Sequence, residues 1–461
     1  MNRRPRVAAA AALSLLLANG CALGPDYKRP AVAMPAAFRD AAGAPGSDRG
    51  FAQAEWWTVF RDPVLKSLID EALRNNYDLR IAANRVIQAR EQLGVVRSNE
   101  FPTLGAIVQG TRERGPPGQG ITTSYQGGLQ LSWMVDFWGE YRRATEAARA
   151  NLLSADYAAD AVRITLLANV ASGYFQLRAL DRELAASQRI RATNEETLRL
   201  TKILVDGGAD PITDELQAKL LVEQADAQIT QLESSIAQAE NQLSLLLGRA
   251  PGAIARGLSL DDQPHEPEVP VGLPSALLEV RPDIREAEEA LVAANADVGV
   301  AKAAFFPQIP LTASGGASSA SLSSLIHGPA SAWSITGQVA QPLFEGGRLR
   351  HNYRLAKTQR DAAELAYRQT IQNALGDVAN ALVGYNKARI YREQLQEQTA
   401  TYAETARLAN DRYRGGATAF LEVLTTQQQY LTAELQLAEA WRSELQNYVQ
   451  LYQALGGGWQ S

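Results

Sequence analysis

The sequence predicts a mixed α and β fold, internally duplicated, whose β portion suits a membrane barrel shared by several chains. Three observations predict it. Two long proline-free stretches carry a helical period and fold back on themselves at a glycine turn. Two shorter stretches alternate apolar and polar residues. Both patterns then recur at a nearly constant shift of 205 to 208 residues.

Taken in order, residues 1–20 read as a signal peptide. Arg3, Arg4 and Arg6 precede an apolar run from Val7 to Ala18, too short to span a bilayer as a mature helix. Ala18-Asn19-Gly20-Cys21 follows, and Cys21 is the only cysteine in the chain. A small residue before a lone cysteine, just after the apolar run, resembles a bacterial lipobox and implies a covalent lipid on Cys21. An ordinary signal peptide cleaved nearby, with an incidental cysteine, is the alternative. A single thiol excludes an intrachain disulfide. Residues 21–62 are expected to form a lipid-anchored extended segment, because Ala22–Glu55 is rich in Ala, Pro and Gly and has no period. Trp56-Trp57-Thr58-Val59-Phe60 and Asp62-Pro63 start ordered structure.

A first structural repeat is expected over residues 63–248. Helices cover Leu65–Asn75 and Leu79–Ser98, and Pro102 ends the helical pattern. A β-hairpin then occupies residues 101–137. Between Ser124 and Phe137 one side carries Tyr125, Gly127, Leu129, Leu131, Trp133, Val135 and Phe137, and the other Gln126, Gly128, Gln130, Ser132, Met134 and Asp136. That is a two-residue period, apolar on one face and mostly polar on the other. Leu104–Thr111 is the partner strand, joined through Gly115–Gly120.

The helical hairpin spans residues 139–248. In its first arm Val162, Leu166, Val170, Leu177, Leu180 and Leu184 step by threes, fours and sevens, as Ile229, Leu232, Ile236, Leu243 and Leu246 do in the second. Such a repeat, sustained at about 3.5 residues, makes a left-handed coiled coil. Gly207-Gly208-Ala209-Asp210-Pro211 forms the turn. Gly207 and Gly208 can both take the left-handed conformation, Asp210 can cap the next helix, and Pro211 suits its first position.

Residues 249–282, rich in proline, form a linker. The second repeat covers residues 283–456, with a β-hairpin at 306–345 (strands Gln308–Ser318 and Trp333–Phe344) and a helical hairpin at 347–456. A tail, 457–461, follows. Asp78-Leu79-Arg80 matches Asp283-Ile284-Arg285, Phe101-Pro102 matches Phe306-Pro307, and Gly207-Gly208-Ala209 matches Gly415-Gly416-Ala417. Two copies are too few for a solenoid, so the missing neighbours come from other subunits.

Beyond the leader no run of 18 apolar residues exists, so a membrane-spanning part cannot be helical. Four strands cannot close a transmembrane barrel, for which about eight is the minimum. Three chains would give twelve strands.

The lipobox followed by Gly24-Pro25-Asp26-Tyr27-Lys28-Arg29-Pro30, the linker motif Leu273-Pro274-Ser275-Ala276-Leu277-Leu278-Glu279-Val280-Arg281-Pro282-Asp283, and the two glycine-tipped hairpins together resemble the TolC-like outer membrane factors. The likeness is strongest to the lipoprotein branch of tripartite (RND-type) drug efflux systems. It implies a homotrimer in the outer membrane lipid of a Gram-negative cell: a twelve-stranded barrel continuing into a periplasmic α-helical barrel. It also implies a periplasmic adaptor and an inner-membrane transporter as partners, with the tips at Gly207, Gly208, Gly415 and Gly416 docking the adaptor. In that family the tips form a gate. By the resemblance, Tyr413 matches the tip tyrosine, Thr213 and Asp214 its hydrogen-bonding partners, and Glu422 the first of two lumen acids. Thr425 stands at the second acid's position and Thr418 at the tip arginine's, so the chain departs from the family there.

Enzymatic readings find no support. His265, His327 and His351 are scattered without ligand spacing, and no HExxH, GxSxG or P-loop pattern occurs. A formal net charge of −5 gives no footprint for nucleic acid. No cofactor is expected beyond the lipid on Cys21. The function expected is a passive exit duct for drugs or other small molecules. The alternatives are a duct for type I protein secretion and a pore-free lipoprotein scaffold.

Overall fold

A computed structural model describes residues 22–38, 61–116, 118, 120–263, 274–327 and 330–457. The leader, Cys21 and Trp56–Phe60 lie outside the described residues. The elements in order are α1 (Pro63–Asn75), α2 (Tyr77–Ser98), β1 (Thr103–Arg114), β2 (Ile121–Met134), α3 (Glu140–Asp206), α4 (Ile212–Leu246), α5 (Leu277–Val280), α6 (Pro282–Ala303), β3 (Pro310–Ser319), α7 (Leu322–His327), β4 (Ser331–Gly337), α8 (Arg348–Arg414) and α9 (Phe420–Ala454). The duplication is kept element by element. α3 and α8 are both 67 residues, α4 and α9 both 35, and α2 and α6 both 22.

Two compact units are formed. The first takes the described parts of Met1–Val32, Asn84–Asp156 and Glu286–Gln369. It holds an antiparallel sheet in the order β1-β2-β3-β4. Because the register is continuous, the period-two patterns of all four strands fall into phase. Leu104, Val108, Leu129, Leu131, Trp133, Leu311, Ala313, Trp333 and Ile335 share one face. Gln109, Thr111, Gln126, Gln130, Ser132, Thr312, Ser314 and Ser334 share the other. The apolar face is uncovered at Val108, Trp333 and Ile335, each at least three-quarters exposed.

The fourth strand is shorter than the Trp333–Phe344 expected. Pro310 has no N–H to return the bond that its carbonyl accepts from Gln338 (3.1 Å), so the ladder breaks there. It resumes as an isolated bridge, Gln308 to Ala340, with both bonds made. Pro342 then stops it. At the other end β1 runs on to Arg114, past the expected Thr111.

In the same unit the segment after Cys21 has neither helix nor strand, yet it is pinned rather than loose. Gly24 (φ 114°) lies so near α6 that a Cβ there would stand 2.5 Å from Gly299 Cα. Asp26 meets Arg143 at 2.7 Å, Asn295 donates to the Pro25 carbonyl at 2.8 Å, and Arg29 and Tyr27 converge on Glu288. Beneath it Ala147 and Ala150 of α3 pack on Ala293 and Ala296 of α6. Side chains this small let two helix axes approach closely.

The second unit comprises the described parts of Ala33–Ala83, Tyr157–Arg285 and Thr370–Ser461. Leu65, Leu68, Ile69 and Ala72 bury one stripe of α1. Asp62 caps that helix through Val64 N at 2.8 Å. Its other carboxylate oxygen accepts from Tyr174 Oη, Leu258 N and Gln263 Nε2, all within 2.9 Å. Burial works to raise the Asp62 pKa, but the bonds from Gln263, Tyr174 and the helix amides outweigh it and hold the carboxyl below its usual range.

Around Tyr174 the middle of α3 is buried on more than one side. Leu166, Leu167, Val170, Ala171, Tyr174, Phe175 and Leu177 are all inaccessible, a wider band than the two-helix seam expected. The linker at Gly257, α4 at Leu243 and α9 at Gln446 all abut it there. Arg281 of the linker motif donates to the carbonyl of Ala454, the last residue of α9 (2.8 Å), and pairs with Asp283 and Asp377.

Candidate functional site at the hairpin tips

The two turns share their closing hydrogen bonds. Gly208 donates to the Val205 carbonyl and Ala209 to that of Leu204, while Gly416 donates to Tyr413 and Ala417 to Arg412. These bonds close each helix C-terminus through one left-handed residue, Gly208 at φ 73° and Gly416 at φ 70°. The first glycine of each pair, Gly207 or Gly415, keeps a negative φ, so only one glycine per turn is conformationally required.

Between the turns lies a small apolar core. Ala218 and Leu221 of α4, Ala409 and Tyr413 of α8, and Phe420 and Val423 of α9 are buried together, with Leu198 and Leu204 packed on them. The rings of Tyr413 and Phe420 meet edge to face with centroids 5.4 Å apart. Tyr413 Oη donates to Asp210 Oδ2 at 2.6 Å and also approaches Thr201 Oγ1 at 3.4 Å. Burial first, then the Asp210 carboxylate, pushes the phenol up to about 12, so it is a donor throughout the neutral range. A hydrogen bond from a buried phenol to a half-buried carboxylate is worth about 1.5–3 kcal/mol.

Within one chain these residues make the following contacts. Asp210 does not cap α4, whose N-cap is Pro211 without a side-chain bond. Asp210 instead accepts the hydrogen bond from the tyrosine hydroxyl, the role expected of Thr213 and Asp214. Thr213 donates to Asp214, at 3.3 Å on an exposed surface. Glu422 is neutralised by Arg412 at 2.8 Å and also accepts from Thr418, which occupies the family arginine's position. Thr425 returns its hydroxyl to the Leu421 carbonyl (2.9 Å) and borders an uncharged groove with Gln398, Tyr402, Gln428, Thr432 and Gln436. The role of Asp210 was missed because an acid before a proline has an adequate local reason to be there, and only the meeting of two hairpins discloses the other. Arg412, in the last turn of α8, reaches Glu422 across the turn of its own hairpin.

No helix among the described residues is long and apolar enough to cross a membrane, and no group of three or more acidic, histidine or cysteine side chains is placed to hold a metal. The lipid site, Cys21, lies outside the described residues.

The profile of the family described as "Outer membrane efflux protein" matches residues 68–249 and 273–457. The solvent efflux pump outer membrane protein SrpC of Pseudomonas putida is 36% identical over 460 residues, covering 97% of each chain. The cation efflux system protein CusC of Escherichia coli O6:H1 is 35% identical over 449 residues, covering 96% of this chain and 97% of its own. Among solved structures, the open state of the Neisseria gonorrhoeae MtrE outer membrane channel superposes with a TM-score of 0.88 at 34% identity, covering 95% of this chain and 98% of its own.

Proposed function

Since the chain belongs to the outer membrane efflux protein family, we infer that it serves as the outer-membrane channel component of an efflux system, and we propose that three copies share one pore. The observation that carries the sharing is an interface that the chain makes once and leaves unmade once. Ala147 and Ala150 of α3 are buried against Ala293 and Ala296 of α6. By the repeat shifts the corresponding residues are Leu355 and Thr358 of α8 and Gln88 and Glu91 of α2, and all four are exposed. The same holds for the sheet, whose outer strands β1 and β4 correspond by repeat to the paired β3 and β2. A head-to-tail contact that repeats an internal one closes into a ring when the rotation is right. Three copies supply twelve strands, enough for a barrel that presents the apolar face to lipid and the polar face to water.

In this reading the tips contact a periplasmic adaptor, an inner-membrane transporter supplies the energy, and the chain itself performs no chemistry. Cys21 carries the lipid. Tyr413, Asp210, Asp214, Thr213 and Glu422 belong to a gate at the tips. The relatives take their names from cargoes as different as solvents and cations, which favours a duct whose selectivity is set by its transporter. The apolar sheet face, uncovered at Val108, Trp333 and Ile335, argues against the pore-free scaffold.

The test pairs assembly with conduction. In a variant without other free thiols, cysteines at Gln88 and Leu355 joined by a short bismaleimide should give covalent trimers, and planar bilayers should show discrete conductance. Purified material that runs at the single-chain mass of 49.9 kDa and conducts nothing would remove the reading.

A further inference from the structure

The register sets Gly128 of β2 opposite Gly316 of β3, at the junction of the two repeats. Both lie on the polar face. A Cβ built on Gly128 would stand 2.5 Å from the Gly315 carbonyl oxygen and 2.8 Å from Gly316 Cα. One built on Gly316 would stand 2.6 Å from Gly128 Cα and closer still to the Gly127 carbonyl oxygen. Their neighbours Gly127 and Gly315, on the apolar face, would meet nothing within 4 Å.

This asymmetry has a geometric meaning. On the concave side of a bent sheet, Cβ directions converge on the adjacent backbone, and on the convex side they diverge. The sheet therefore turns sharply towards its polar face between β2 and β3. A hollow of 240 Å³ bordered mainly by polar-face residues, among them Gln126, Ser314 and Ser334, marks the same place. At the repeat-equivalent junction, where β4 would meet β1 of another copy, the matching polar-face residues are Thr111 and Thr336. No glycine pair stands there.

We propose that Gly128 and Gly316 form a fold line that turns each chain's four strands towards their polar face, and so positions them to close around a lumen. The proposal rests on the channel reading. Glycine in a strand interior is otherwise a weakening, and it marks a corner or a close backbone approach. The bend is built into the middle of each chain and not into the joints between chains, so the barrel acquires three corners instead of six.

Single alanines test it. Gly128→Ala and Gly316→Ala should lower the yield of heat-modifiable trimer, and of conducting channels, by roughly tenfold, whereas Gly127→Ala and Gly315→Ala stay within about twofold of the parent. Far-UV circular dichroism of the same preparations should keep the helical signal in all four. Unchanged trimer yield and conductance in Gly128→Ala and Gly316→Ala would overturn the proposal. So would equal damage from Gly127→Ala and Gly315→Ala, which would make general strand flexibility the requirement, and so would loss of helix together with trimer. If the unsubstituted protein itself formed no conducting trimer, the channel reading would fail first, and the two failures are thus told apart.

Discussion

Tyr413 and Asp210 join the two tips of one chain by a short hydrogen bond, and their surroundings decide its strength. Tyr413 is 5% exposed, while the Arg412–Glu422 pair nearby is 57% and 38% exposed at its side chains. A surface pair of that kind contributes about 0–1 kcal/mol, so the phenol–carboxylate bond dominates. On the proposed gate, Tyr413→Phe and Asp210→Ala should each raise resting leakage of the channel roughly tenfold, the effect of taking ~1.5 kcal/mol from a closed state that this bond holds. Glu422→Ala should raise it less. Antibiotic susceptibility and bilayer conductance read the difference, and a larger effect from Glu422→Ala would contradict this ranking. A second residue-scale outcome concerns pH. Burial, then the neighbouring Glu439 carboxylate, pushes Glu183 from 4.5 up to about 7, against a small opposing effect of Arg442. The folded state thus holds a proton that the unfolded chain releases near pH 4.5, and stability falls as pH rises from there to about 7. The Tm of the parent should drop over that window, and Glu183→Gln should flatten the drop; parallel curves would dismiss the effect.

Among the elements, the helical hairpins were the most legible part of the sequence, because an uninterrupted period of threes and fours between prolines admits few other folds. Their ends followed from Gly208 and Gly416. Strand length was less legible, since alternation alone continues through Pro310 and Pro342 although the hydrogen-bond ladder cannot. The tip contacts were half legible: the family likeness pointed to Tyr413, but its partner comes from another hairpin that no local pattern connects to it. Nor did the pattern disclose the charged pair inside the second hairpin. Arg392 donates to Glu444 at 2.7 Å, and its guanidinium lies 4.4 Å above the Trp441 ring. Glu444 has no exposed surface. Arg392→Met should therefore cost about 3–5 kcal/mol by removing the Arg392 charge from beside a buried carboxylate, and adding Glu444→Leu should recover much of the loss. Chemical denaturation of the two variants checks it, and a double variant less stable than the single would refute the argument.

For the whole molecule, the two faces of the sheet lead to an unequal response to charge. An arginine on a lipid-facing strand position costs about 2–4 kcal/mol near the bilayer midplane, and a lumen position is spared that cost. Leu129→Arg should consequently reduce membrane-inserted protein far more than Gln130→Arg one residue along, as quantified in outer-membrane fractions. Equal losses would mean that neither face meets lipid. The equal arms of the two repeats have a consequence for how such a chain can change over time. α3 and α8 match in residue count, as α4 and α9 do, and their turns touch through Tyr413 and Asp210. Removing one heptad from a single hairpin would withdraw its turn by about 10 Å and part them. Lineages can therefore lengthen or shorten the hairpins only by matched edits in both halves of the gene, so that each copy acts as a ruler for the other.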